Sequence, residues 1–306
     1  MKEKLLIGRR DPKSFLLFFS VHLAAFLTML ALLFIIGYIL VKGIPNLTPE
    51  LFAAKYTSEN VSLLPALLNT IFITILSLLF AVPTGIGAAI YLTEYAPRSS
   101  MQQKNGHSKL PARLTGRGNR LVGLVGMTAE TLSGIPSIVY GLFGSLFFVK
   151  YLGFGLSLLS GALTLSIMIL PLIMRTTQEA LKAVPDSYRE GSFGLGAGKL
   201  RTVFSIVLPC AIPGILSGVI LGIGRIIGES AALIFTAGTV AETASGILSS
   251  ARTLSVHMYA ISGEGLYINQ TYATAVVLLA VVILINAFSG YAARKIGGEH
   301  IDENHD

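Results

Sequence analysis

The chain has a single cysteine, Cys210, among 306 residues, so neither an internal disulfide nor a cysteine-built metal cluster can form. Charge is scarce as well. Asp, Glu, Lys and Arg together make up 13%, against 53% apolar residues and a mean hydropathy of +0.71. A water-soluble domain does not tolerate that balance. The five histidines, at 22, 107, 257, 300 and 305, are scattered and offer no metal-ligand pair on one helical turn. No stretch sets a nucleophile beside a base, as a membrane hydrolase would need. The net charge of +7 would suggest nucleic acid in a soluble protein; in a membrane protein such residues fix orientation.

Long apolar runs dominate what is present. Blocks at Phe15–Val41, Leu63–Leu92, Leu121–Lys150, Phe154–Met174, Ile212–Ala237 and Tyr272–Ala293 can each cross a bilayer, which takes about 20 helical residues. The expected fold is all-α, with six transmembrane helices and no large extramembrane domain. The first block follows Lys2, Lys4, Arg9, Arg10 and Lys13; it is too long, and lacks the small-residue cleavage site, for a signal peptide. An even number of crossings puts both termini on one side. That side carries eighteen of the 23 Lys and Arg residues: those five, six from Arg98 to Arg120, five from Arg175 to Arg201, and Arg294 with Lys295. Lys42, Lys55, Lys150 and Arg252 face the other side, which places both termini in the cytoplasm. The expected division is a tail, first helix and external loop over 1–62, a core over 63–293, and a cytoplasmic tail over 294–306.

Three connections are long. Pro97–Leu121 is rich in Ser, Gln, Asn and Gly and carries six positive charges and no acid, as expected of a flexible linker that touches anionic lipid. Gly238–Gln270 is external, and Leu254, Val256, Met258 and Ile261 in it could form one side of a short interfacial helix. The connection 175–209 is different. Pro185, Asp186 and Ser187 can open a helix, Gly194, Gly196 and Gly198 interrupt it, and Lys199–Val207 can form a second short helix before Pro209. Gly194–Lys199 is no phosphate loop: Phe193 stands where the first glycine belongs, and Leu200 follows the lysine.

One cation lies inside an apolar block. Arg225 falls near the middle of the fifth span, where an unpaired arginine costs about 2.5 to 3.5 kcal/mol on insertion scales. Glu229, four residues on, would share its helix face. A guanidinium matches a phosphate or carboxylate with a two-pronged fork, so an anionic substrate could exchange with Glu229; a static ion pair is the alternative. Gly214, Gly218 and Gly222 at four-residue spacing, and Gly224 with Gly228, suit close helix approach. Gly222, Gly224 and Gly228 miss the dinucleotide-binding spacing. Pro136 should kink the third span, with Ser133 or Ser137 satisfying the freed backbone groups, as a substrate gate or an ordinary bend. Glu130 and Arg175 could form an inner ion pair.

Glu190, Gly191 and Ser192, then Gly196, then Ile206, Leu208 and Pro209 match the spacing E-A-A-x3-G-x9-I-x-L-P. This resembles the coupling motif of ABC importer permeases, with Gly191 and Ser192 in place of the two alanines. Ser133, Gly134, Pro136, Ser137 and the residues through Phe143, then Gly224–Ser230 with Phe235–Gly238, then Thr253–Tyr259, resemble phosphate importer permeases of the PstA type over roughly 63–293. The sister PstC type shares the Gly-Arg-x-x-Gly-Glu feature. The resemblance implies a subunit of a bacterial plasma membrane importer, with Arg225, Glu229 and Ser230 on the substrate path. It also implies partners: a second, PstC-like permease chain, PstB-like ATPase subunits gripping the 175–209 loop, and a PstS-like external phosphate-binding protein. No cofactor is called for. A permease for another oxyanion, or a self-contained carrier or channel, is the alternative.

Overall fold

An apolar chain that meets no water must satisfy its backbone polar groups internally, and helices do so within one segment. The computed structural model describes residues 12–95, 126–128 and 131–302, with side chains described over 16–95, 126–128, 131–288 and 290–291. The basic linker and Glu130 lie outside the described residues.

Helix α1 spans Pro12–Gly43, and α2 spans Leu64–Ile90 before widening into a π-helical turn, Tyr91–Tyr95. The third span is broken. Gly126–Ser133 and Ser137–Tyr151 lie 106° apart; the second piece is α3, Ser137–Gly144, extended by the π-helical Ser145–Tyr151. Pro136 therefore does not bend a continuous helix but stands just before α3, with Gly134 and Ile135 in the break. The Tyr140 hydroxyl donates to the Leu132 carbonyl at 2.6 Å and pins the two pieces together.

Helix α4, Leu158–Ala183, starts where the Ser157 hydroxyl accepts the Ser160 amide. It outruns the expected end at Met174 by more than two turns. It is also the centre of the molecule: 67% of its most apolar stretch is buried, against none of α1. Ile73 of α2, Leu165, Ile169 and Ile173 of α4, and Ile226 and Leu233 beyond it share one core.

Helix α5, Asp186–Gly194, opens after Pro185 as the sequence suggests. The next helix does not stop before Pro209. Lys199–Thr202 (α6), the π-helical Val203–Val207 and Leu208–Ile227 (α7) form one 29-residue rod. The wide π turn directly before Pro209 takes up its missing N–H and ring, so no break is needed.

The rod ends at Gly228, short of the expected Ala237, and a separate helix, α8, covers Ala231–Thr236. Helix α9 is Leu254–Glu264 and α10 is Ile268–Asp302. Leu254, Val256 and Ile261 are buried together with Ser255 and His257, so α9 is packed into the protein and is not an interfacial helix. Among the described residues, five helices are long and apolar enough to cross a membrane, or six if the bent pair counts as one.

The glycine stripe on α7 is a packing seam for part of its length. A methyl group at Gly214 would meet Ala180, and one at Gly218 would overlap Thr176, both on α4. Nothing lies near Gly224, and Gly228 meets only the Gly224 carbonyl of its own helix, so those two bring no helix closer.

Candidate functional site

The motif residues gather at one end of the molecule. Ser192 and Thr202 are buried and share a hydroxyl hydrogen bond of 2.8 Å, which fixes α5 against the start of the long rod. Gly196 has φ +82°, a backbone conformation glycine adopts without cost, and turns the chain between the two helices. Gly191, Ser192, Gly196 and Ile206 line one cleft of about 510 Å³ with Tyr188 and Arg201. Glu190 points outward, and Leu208 and Pro209 are half-buried in the rod. Around the cleft, Tyr188, Phe193, Leu195, Leu200 and Phe204 are exposed, Leu195 at 91%. These apolar groups stand beside Arg201 and Glu190 on one surface.

The second cluster lies deeper. Arg225 sits in the last turn of α7, half-buried, where the carbonyl end of the helix favours a cation. Gly222, one turn earlier, faces Ile169 and Ile173, so Arg225 is level with the middle of α4. It opens into a cavity of about 340 Å³ shared with Ser133, Pro171, Arg175, Gln178, Glu179 and Lys182. Three cations and one carboxylate face this space, which runs down α4 toward the α5 end.

The pairing expected from sequence is not there. The helix ends at Ile227, so Glu229 leaves the face it would have shared with Arg225. Its carboxylate instead accepts the Ala232 amide at 3.0 Å and caps α8, while its carbonyl takes a hydrogen bond from Ser255. Ser230 is half-buried ahead of α8, its carbonyl bonded to Ile234. Arg175 pairs with Glu179 at 3.1 Å, both well exposed. Ser133 borders the cavity with Arg225, whereas Gly134, Pro136 and Ser137 form the break beside it.

Sequence reasoning passed over two buried arginines. Arg189, next to Glu190, reaches Glu94 of the π turn after α2 at 2.8 Å. A basic residue inside a recognised helix carries no signal of that partner. Arg252 is 5% exposed, stacks on Tyr56 with 4.6 Å from its guanidinium to the ring centroid, and neighbours the fully buried His257. Burial first, and the Arg252 charge second, push the His257 imidazole down to about 3, so it is neutral.

Comparison with known proteins places the chain in a family. Residues 110–298 match the family model described as binding-protein-dependent transport system inner membrane component. The probable ABC transporter permease protein YqgI of Bacillus subtilis is 31% identical, over 85% of this chain and 87% of its own. The phosphate transport system permease protein PstA of Pasteurella multocida is also 31% identical, over 92% and 94%. A PstC protein of Mesorhizobium japonicum is 28% identical over 78% and 75%. Among solved structures, a chain of a bacterial ABC transporter involved in import of the acidic polysaccharide alginate shares the fold. Its TM-score is 0.63 at 17% identity, covering 96% of this chain and 99% of that one. A chain of the inward-facing MetNI methionine ABC transporter gives 0.57 at 20%, over 76% and 95%. A helical integral membrane protein with these relatives is a transport subunit and not an enzyme, and the chain belongs to the inner membrane components of binding-protein-dependent transport systems, the permeases of ABC importers.

Proposed function

We propose that the chain is a PstA-type subunit of an ATP-driven importer of inorganic phosphate, forming the path together with a second, PstC-type permease chain. The observation that carries this reading is the cavity in which Arg225, Arg175 and Lys182 converge: an anion is the ligand that such a space favours. The PstA and PstC names of the relatives favour phosphate among oxyanions. The exposed apolar rim around Gly191 and Gly196 is the surface on which a PstB-type ATPase subunit would dock, and a PstS-type binding protein would deliver phosphate at the opposite end. Counting the broken segment before and within α3 as one crossing gives six spans, which with the Lys and Arg distribution supports cytoplasmic termini.

The experiment is purification of the assembled complex from native membranes and reconstitution in liposomes. ATP-dependent uptake of labelled phosphate, insensitive to excess sulfate, is the expected result. Sulfate uptake at equal rate would move the substrate to another oxyanion, and phosphate movement by the purified chain alone, without ATP, would overturn the reading.

A further inference from the structure

Arg189 is 8% exposed, and its guanidinium uses all five of its N–H donors. Nε and Nη2 both reach Oε1 of Glu94, at 3.2 and 2.8 Å. Nη2 also donates to the Leu181 carbonyl at 2.8 Å, and Nη1 to the Val184 carbonyl at 2.8 Å and to Asp186 at 3.3 Å. These acceptors belong to three separate elements: the π turn that ends α2, the last turn of α4 with the residue after it, and the first turn of α5 itself. The Glu94 side chain is as buried as its partner, at 8% exposure. Nearby, the ammonium of Lys199 lies over the Tyr95 ring at 5.1 Å, a second tie from the same end of α2 to the start of the long rod.

A short helix at the end of two loops can move without moving what it hangs from. Here that freedom is removed, because a buried ion pair with every donor satisfied holds α5 to the ends of α2 and α4 in one geometry. We propose that Arg189, acting through Glu94, is the strut by which displacement of α5 is passed to α2 and α4, so that it sets the coupling between ATP hydrolysis and transport. It is a positioning residue that touches no substrate. The inference rests on the reading that α5 docks an ATPase subunit.

The test uses the assembled importer in liposomes, with hydrolysis and phosphate uptake measured on the same sample. Arg189→Gln and Glu94→Gln should leave hydrolysis within about threefold of the parent while phosphate moved per ATP falls about fivefold or more, the range of ordinary coupling energies. The double substitution should be no worse than either alone, since both remove one link. Arg189→Lys, which keeps a charge for Glu94, should recover part of the ratio. Glu94→Gln leaves the carbonyl bonds of Arg189 in place and carries the test if Arg189→Gln does not accumulate. Lower complex levels with an unchanged ratio would make the pair a fold element only and overturn the strut. Docking is checked separately with Tyr188→Cys in a Cys210→Ser background, joined by a thiol-to-amine cross-linker to the ATPase subunit. Cross-linking with an unchanged ratio overturns the strut alone; no cross-link in the otherwise unaltered complex overturns the docking reading and the strut with it.

Discussion

Replacing Arg225 by Gln removes the most buried charge facing the cavity while keeping a polar side chain of similar reach. A phosphate oxygen charge about 4 Å from the guanidinium gains about 4 kcal/mol at an effective dielectric constant near 20. The amide of Gln recovers about 1 kcal/mol as a hydrogen bond. The remaining 3 kcal/mol, roughly, corresponds to about a hundredfold loss of uptake. Arg175 is a useful contrast, because its charge is already offset by Glu179 at 3.1 Å and both side chains are more than 60% exposed. Arg175→Gln should therefore cost only a few-fold, and Glu179→Gln should raise apparent phosphate affinity. The assay is initial uptake against phosphate concentration in liposomes, normalised to complex present. Because Glu229 caps α8 and not Arg225, Arg225→Gln with Glu229→Gln should transport no better than Arg225→Gln alone. Arg225→Lys, which keeps the charge but not the fork, should be intermediate. Near-normal uptake by Arg225→Gln at normal membrane levels would remove Arg225 from the path and leave it a packing residue.

Gly196 has open space around it, so its substitution should act through φ and not through crowding. Gly196→Leu should then destabilise the isolated chain no more than Gly196→Ala, about 1 kcal/mol each, with Gly196→Asn milder; a much larger loss for Leu in thermal melts would contradict this. On the seam, Gly218→Val should cost a few kcal/mol against Thr176, seen as low membrane levels, whereas Gly224→Ala should be tolerated. His257 titrates lower in the folded protein than its ordinary 6.5, so the unfolded chain binds the proton first. Its contribution is complete above about pH 6.5 and falls by up to about 1.4 kcal/mol per unit toward pH 3. Circular-dichroism melts in detergent should show a loss between pH 7 and 5 that His257→Leu reduces; equal slopes would count against it.

The helices themselves were legible because lipid-facing sequence is apolar wherever it lies, but their ends were not. Arg175, Gln178 and Glu179 break the apolar run, yet the helix continues through them to Ala183, and all three line the cavity that Arg225 borders. Pro209 looks like a stop, and a π turn absorbs it. Arg225 is expected near the middle of a span reaching Ala237, but the helix ends at Ile227, which puts Arg225 in its last turn and takes Glu229 off its face. The spacing of Glu190, Gly196 and Pro209 can be read locally, but the partner of Arg189 lies 95 residues away, beyond any local pattern. The local pattern of α9 suits a surface helix and gives no sign that Arg252 and His257 are buried; their burial depends on contacts with distant segments, including the Asn69 amide on the Arg252 carbonyl.

The unbroken rod from Lys199 to Ile227 has a mechanical meaning. At 1.5 Å per residue its 29 residues are about 43 Å long, and its tightest contacts, Gly214 and Gly218 on α4, lie near the middle. A rod gripped at its centre is a lever. Tilting it by about 10° at Gly214 would swing the Arg225 end, some 11 residues or about 16 Å away, by about 3 Å, and would carry the Lys199 end, about 22 Å away, the opposite way by about 4 Å. A shift of that size is enough to make or break a hydrogen bond to an ion.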